Sequence, residues 1–175
     1  MKARFVALVL ALTLGAAHAQ LARSDRRFIA AAAESGMFEV QIAQLAAAKA
    51  TDPAVKGFAG MLVDQHTAAN DALARIAAAR RVDLPPAPGR GLRREIDRIA
   101  KNEGDAFDRA FVRTIGIEAH EQDIRRFEKA SRDVHDADLK AWVATTLPML
   151  RAHLAAAEKL HPSDGNAATI GVHKR

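Results

Sequence analysis

Apolar residues recur at intervals of three and four along most of the chain and group into four long amphipathic segments. The first runs from about Ser24 to Ala50, with Ser24 placed as an N-cap before Asp25 and a stripe of Phe28, Ala32, Ser35, Phe38, Ile42 and Leu45. The second runs from about Pro53 to Arg81, where Asp52 followed by Pro53 is a cap-then-first-turn signal. Its stripe is Val55, Phe58, Leu62, His66, Ala69, Leu73 and Ile76. The third, from about Asp105 to Asp133, carries Phe107, Phe111, Thr114, Ile117, His120, Ile124 and Phe127. The fourth, from about Ala137 to His161, carries Leu139, Trp142, Thr146, Leu150, His153, Ala157 and Leu160, with Pro148 expected to kink it.

The breaks between segments set the topology. A tight turn near Thr51 makes the first two helices antiparallel neighbours, and a turn near His135 does the same for the last two. Between the pairs lies Asp83-Leu84-Pro85-Pro86-Ala87-Pro88-Gly89-Arg90-Gly91, which cannot be helix. A short amphipathic piece with Leu92, Ile96 and Ile99 on one side follows it. About twenty residues of connection can run the length of a helix of about 25 residues, roughly 37 Å. Two helix hairpins joined by one long crossover is the ferritin-like arrangement, so the expected fold is an all-α, ferritin-like four-helix bundle.

The N-terminal residues read differently. Lys2 and Arg4 precede an apolar run from Phe5 to Ala17, and Ala17-His18-Ala19 is a cleavage-site pattern. The run is short for a membrane span. The expected organisation is a signal peptide at 1–19, a helical domain at 20–161 and a polar, disordered tail at 162–175. That organisation implies export, with the periplasm as destination and no membrane span left after cleavage. Loss of Lys2 and Arg4 leaves 24 basic residues of the original 26 against 21 acidic ones, a mild excess. With export, this argues against a nucleic-acid partner. Cysteine is absent, which removes disulfides, thiolate metal sites, cysteine nucleophiles and a lipoprotein anchor.

Three of the four stripes are interrupted by histidine, namely His66, His120 and His153, and the first has Glu39 beside Phe38. Glu39, His66 and His120 fall within about two residues, or ~3 Å of rise, of the middle of their helices; His153 lies about four residues past its midpoint. Four ligand-type side chains are thus expected at one level of the interior. A buried carboxylate needs a charge partner and a buried imidazole needs hydrogen bonds. One Glu with three His is a sensible set for one divalent ion, zinc or iron. The bland counterpart is a metal-free Glu–His hydrogen-bond cluster that fixes helix register. Asp123, three residues after His120, and Asn70, four after His66, share their sides and are the candidates for supporting partners. Asp64 and Glu118, two residues before a stripe histidine, turn to the opposite face.

Phe28-Ile29-Ala30-Ala31-Ala32 leading to Glu39, Phe58-Ala59 with Met61 and Asp64-Gln65-His66, Phe107-Asp108 with His120, and Leu147-Pro148 with His153 resemble the bacterial "domain of unknown function 4142" proteins over about residues 24–161. The resemblance implies an exported ferritin-like bundle, some members of which are labelled outer-membrane proteins, and no established activity. Di-iron ferritins use Glu-x-x-His on two helices. Here Val63 and Leu150 stand three residues before His66 and His153, and His120 replaces an expected carboxylate, so a single-metal or metal-free site is expected over a di-iron one. No serine has a nucleophile-elbow setting. The reading is a non-catalytic metal-binding bundle for metal handling or envelope stress. Its alternative is a structural or interaction module of the envelope that docks a partner through helix faces or through Leu92–Ile99.

Overall fold

A computed structural model describes residues 21–160, and every regular element among them is helical. The expected signal peptide and cleavage site, the expected tail, and His18, His161 and His173 lie outside the described residues. The helices are α1 (Arg23–Lys49), α2 (Pro53–Ala79), α3 (Arg90–Ala100), α4 (Gly104–Phe111), α5 (His120–Asp133) and α6 (Ala137–Leu160). A π-helical stretch, Val112–Ala119, joins α4 to α5 without a break. No helix among the described residues is long and apolar enough to cross a membrane.

Most of the predicted boundaries hold to within two residues. Asp52 caps α2 by accepting the Ala54 N–H at 2.7 Å, as the Asp-Pro pair predicts. Ser24 does not cap α1; it lies inside the helix and bonds Asp25, while the capping position falls to Ala22 with no side-chain bond. Helix α6 continues through Pro148, whose missing N–H falls on the exposed side.

Helices α1 and α2 pack along each other and are joined by three residues, which makes them antiparallel; α5 and α6 form a second such hairpin. Helix α2 also packs on α6, α6 on the π-helical stretch, and α1 on α3, α4 and α5. Two buried aspartates that the pattern analysis did not single out tie these pieces together. Asp108 on α4 accepts the N–H groups of Thr51 and Asp52 and the Thr51 hydroxyl, gripping the α1–α2 turn. Asp25 on α1 accepts the N–H groups of His135 and Asp136, gripping the α5–α6 turn. Each turn finds a partner for its amides in a buried carboxylate far away in sequence. The apolar side of α3 faces inward, with Ile99 fully buried and Leu92 and Ile96 half-buried against the core. That placement leaves little of this side free to dock a partner.

The apolar interior is in two parts. One gathers Phe38, Ile42, Phe58, Leu62, Phe111 and Ile115. The other gathers Ile29, Leu73, Phe127, Leu139, Trp142 and Leu150. Along every long helix the chain passes from one cluster to the other. The passage occurs between Ala33 and Phe38 in α1, Leu62 and Leu73 in α2, Ile115 and Phe127 in the π-stretch and α5, and Leu150 and Ala157 in α6.

Two glycines test this packing from opposite sides. A Cβ on Gly116 would lie 2.7 Å from Ala157 Cβ and 3.3 Å from Phe58 Cε1, whereas a Cβ on Gly57 would meet nothing within 4 Å. Gly116→Ala is expected to cost about 1–3 kcal/mol by overpacking. Gly57→Ala is expected to gain about 0.5–1 kcal/mol from helix propensity. Thermal melts of the two variants beside the parent protein measure both signs. Asp108→Ala, which strips the partner from two turn amides, is expected to lose about 1–3 kcal/mol in a urea titration.

Candidate metal centre

The passage between the two apolar clusters is filled by polar side chains. Glu39, His66, His120 and His153 are 1%, 3%, 0% and 1% exposed. The helical spacing that alternates apolar residues with these four therefore does bring them to a common level. One nitrogen from each of His66, His120 and His153 lies within 4.8 Å of the others. The ring centroids are 5.1–5.5 Å apart.

Each imidazole is held from outside the cluster. His120 Nδ1 donates to the Ile115 carbonyl at 2.8 Å, five residues earlier along the π-helical stretch. The wide turn also changes which residues face inward. Continuous α-helix would put Thr114 and Ile117 on the stripe; in the structure Ile115 and Gly116 are buried there instead. Gly116, with no side chain, lets this stretch approach α6 closely at Ala157, one turn beyond His153. His153 Nε2 reaches Gln65 Oε1 at 2.8 Å. His66 Nδ1 is 3.0 Å from Glu39 Oε2, and His120 Nδ1 is 3.7 Å from Glu39 Oε1.

These outer contacts leave the inner nitrogens facing one another. His120 Nε2 and His153 Nδ1 are 3.1 Å apart. His66 Nε2 is buried with no hydrogen-bond partner, as are both oxygens of Glu39. With the outer nitrogens of His120 and His153 as donors to Ile115 and Gln65, their inner nitrogens carry lone pairs, while Glu39 stands close to His66 Nδ1 without a hydrogen bond. Two such lone pairs at 3.1 Å repel unless a cation lies between them. Three imidazoles on one zinc at about 2.0–2.1 Å have nitrogens about 3.3 Å apart, closer than the 4.8 Å within which these lie, so the rings would draw together around an ion. In the metal-free alternative, His153 Nδ1–H donates to His120 Nε2, and Gln65 turns its amide to offer N–H to His153.

Burial sets the electrostatics. Desolvation holds the His66 imidazole well below its usual range, aided by the neighbouring His120 and His153. Desolvation also lowers His120 and His153 to about 4, against the bond to Ile115 in the first case and with repulsion from His120 in the second. Desolvation drives the Glu39 carboxyl well up, with Asp123 reinforcing it and Arg126 opposing. Burial thus favours the uncharged form of all four groups, and the three imidazoles could hold a metal ion, whose charge would reverse that preference for the carboxyl.

The two proposed supporting residues are near the site but touch no imidazole. Asp123 is buried and takes the Ser35 hydroxyl at 2.8 Å and the Arg126 guanidinium. Asn70 sits over Gly36, its Oδ1 occupying the space a Cβ there would fill. Both line a cavity of about 10 Å³ with Glu39, His66 and Thr146. Gln65 and the Ile115 carbonyl hold the rings instead. Gln65 was legible only as the neighbour of His66, and a backbone carbonyl freed by a π turn leaves no trace in residue types. Asp64 and Glu118 are exposed, as their angle implied.

The chain belongs to the family described as Domain of unknown function (DUF4142), which matches residues 11–160. Comparison with curated proteins and with solved structures finds no match in either set.

The shifted groups make stability depend on pH in two directions. The folded imidazoles release their protons near pH 4 or below, the unfolded ones near 6.5. Between those values the unfolded chain binds more protons, so the imidazoles cost stability as pH falls below about 6.5. Glu39 works the other way: above its unfolded value near 4.5 the fold still holds the proton, and stability is lost as pH rises toward the folded value. Glu39→Gln, neutral at every pH, is therefore expected to raise the chelator-treated protein's melting temperature at pH 8, by on the order of 3 °C per kcal/mol. The gain should shrink at pH 5. Melting curves at the two pH values decide it.

Proposed function

Starting from membership of this family and from the histidine cluster, we propose that the protein is an exported, ferritin-like four-helix bundle that binds one divalent metal ion through His66, His120 and His153. The observation that carries this reading is the orphaned, buried His66 Nε2 beside two other imidazoles whose outer nitrogens already have acceptors. A metal-ligating histidine commonly gives its second N–H to a carbonyl, amide or carboxylate, which fixes tautomer and ring orientation. Ile115 and Gln65 supply two of these acceptors here, and the Glu39 carboxyl stands 3.0 Å from His66 Nδ1 without a completed hydrogen bond. Glu39 is then either a fourth ligand or the carboxylate partner of His66; its 3.0 Å approach to Nδ1 favours the partner role. Neutral nitrogen donors without thiolate suit zinc, and ferrous iron as well.

The two helix hairpins and the crossover containing α3 support the bundle arrangement, with its site between facing helices. Export to the periplasm rests on the N-terminal pattern of Lys2, Arg4, the apolar run and Ala17-His18-Ala19. A buried single-ion site with no nucleophile beside it fits holding or buffering a metal, and protection of the envelope from metal stress, better than turnover of a substrate.

A second reading has its own observation. The bonds from Ile115 through His120 and His153 to Gln65 form a continuous chain that needs no metal. On that reading the cluster fixes helix register in a structural or interaction module of the envelope.

Titration of tag-free protein with Zn²⁺ separates the two. One ion per chain is expected, with stabilisation of about 2.7 kcal/mol at a free concentration one hundred times Kd. His120→Ala should abolish this rise. Glu39→Gln should weaken affinity about 10–100-fold if Glu39 orients His66 from outside the coordination sphere. No uptake by elemental analysis, and no Zn²⁺-dependent change in melting, would leave the register reading standing.

A further inference from the structure

The imidazoles are closed off from solvent, so an ion needs a way in, and one surface feature reaches the chamber beside them. A groove of about 290 Å³ runs between α1, α3 and the π-helical stretch with α5. Its lining includes four carboxylates, Glu34, Glu95, Glu118 and Asp123, against one guanidinium, Arg126. Arg98 pairs with Glu95, and Arg113 stands 3.9 Å from Glu118, yet both are more than half exposed and weakly screen what the groove presents.

Asp123 lines both the groove and the cavity of about 10 Å³ that also touches Glu39 and His66. It is 4% exposed and is held by Ser35 and Arg126. Beyond it lie the Glu39 oxygens, buried and without partners. The groove and the cavity thus share the Asp123 carboxylate in their linings, and the cavity also carries the unpartnered Glu39 carboxyl. Clefts lined by one sign of charge raise the local concentration of the opposite ion and its rate of entry.

The geometry points to this groove as the entry route of the divalent cation, with the Asp123–Arg126 pair as the displaceable closure between it and the Glu39–histidine chamber. The inference rests on the metal-binding reading above and specifies how that site is loaded. A passage differs from a site in one measurable respect: charge along a passage changes loading and release together and leaves the equilibrium constant alone.

The test is stopped-flow loading of the metal-free protein with Co²⁺, followed by its visible absorption, and release into excess chelator. Glu95→Gln with Glu118→Gln alters only partly exposed rim positions and is expected to slow loading and release in parallel, about 3–10-fold at low salt. Its Kd should stay within about twofold of the parent's, and its loading should depend less on salt. Asp123→Asn should change both rates as well, whereas Glu128→Gln, which lies outside the groove and faces Arg151, should change neither. Unaltered rates in the rim variant, with Co²⁺ uptake intact, would overturn the entry route alone. Weaker Kd with loading unchanged would overturn it too, by making these carboxylates part of the site. Absence of Co²⁺ uptake by the parent protein would overturn the metal-binding reading and the route with it.

Discussion

Desolvation of four titratable side chains between two apolar clusters is the constraint on which the structure depends. Each long helix contributes hydrophobic residues to both clusters and at least one buried polar residue at or next to the crossing point. Burial of that layer disfavours charge on all four groups, lowering the imidazoles and raising the Glu39 carboxyl. Apolar residues of similar volume would fill the same space without this cost, so the layer contributes something other than stability. The His120 and His153 nitrogens facing each other at 3.1 Å, beside the unpartnered His66 Nε2, form a set of donors that could hold a cation.

The helices are arranged to hold the layer in place. The π-helical stretch supplies the Ile115 carbonyl to His120 and, through Gly116, brings that ring close to α6 and His153. Gln65 holds His153 from the surface side. At the two ends Asp108 holds the α1–α2 turn and Asp25 the α5–α6 turn, so the helices cannot slide along one another without breaking these bonds. A level of four side chains from four stretches of chain is useful only if the register is fixed, and these two carboxylates fix it.

The functional reading follows from what the layer lacks as much as from what it holds. Val63 and Leu150 stand where carboxylates of a di-iron centre would be, and cysteine is absent from the chain. The remaining donors are neutral nitrogens with outer acceptors in place, which suits one borderline divalent ion held inside the protein. Asp123, which touches none of the imidazoles, lies at the floor of an acidic groove and beside the Glu39 chamber. The same chain segment thus carries both His120, a member of the buried triad, and a carboxylate that lines the groove and the Glu39 cavity.

Much of this was written in the one-dimensional pattern. Apolar spacing of three and four gave the helices because that period is the geometry of the helix itself, and Asp52-Pro53 placed a boundary because its chemistry is local. His66, His120 and His153 were visible as interruptions of apolar stripes, and Glu39 by its height along its helix. Tertiary structure decided what depends on partners far away in sequence. In α1 the buried face turned out to centre on Ile29, Gly36 and Glu39, with Phe28 and Leu45 only half-buried, because α2 and α5 chose which flank of a broad alanine-rich stripe to cover. The π-helical stretch moved the inward positions from Thr114 and Ile117 to Ile115 and Gly116, since a widened turn is selected by packing against α6 and Phe58. Asp108 and Asp25 look like ordinary helix-terminal acids in sequence and become buried anchors only when the opposite turn arrives to donate its amides. Residue types determine which chemistry is available; which nitrogen faces which neighbour is settled by distances that no local spacing encodes.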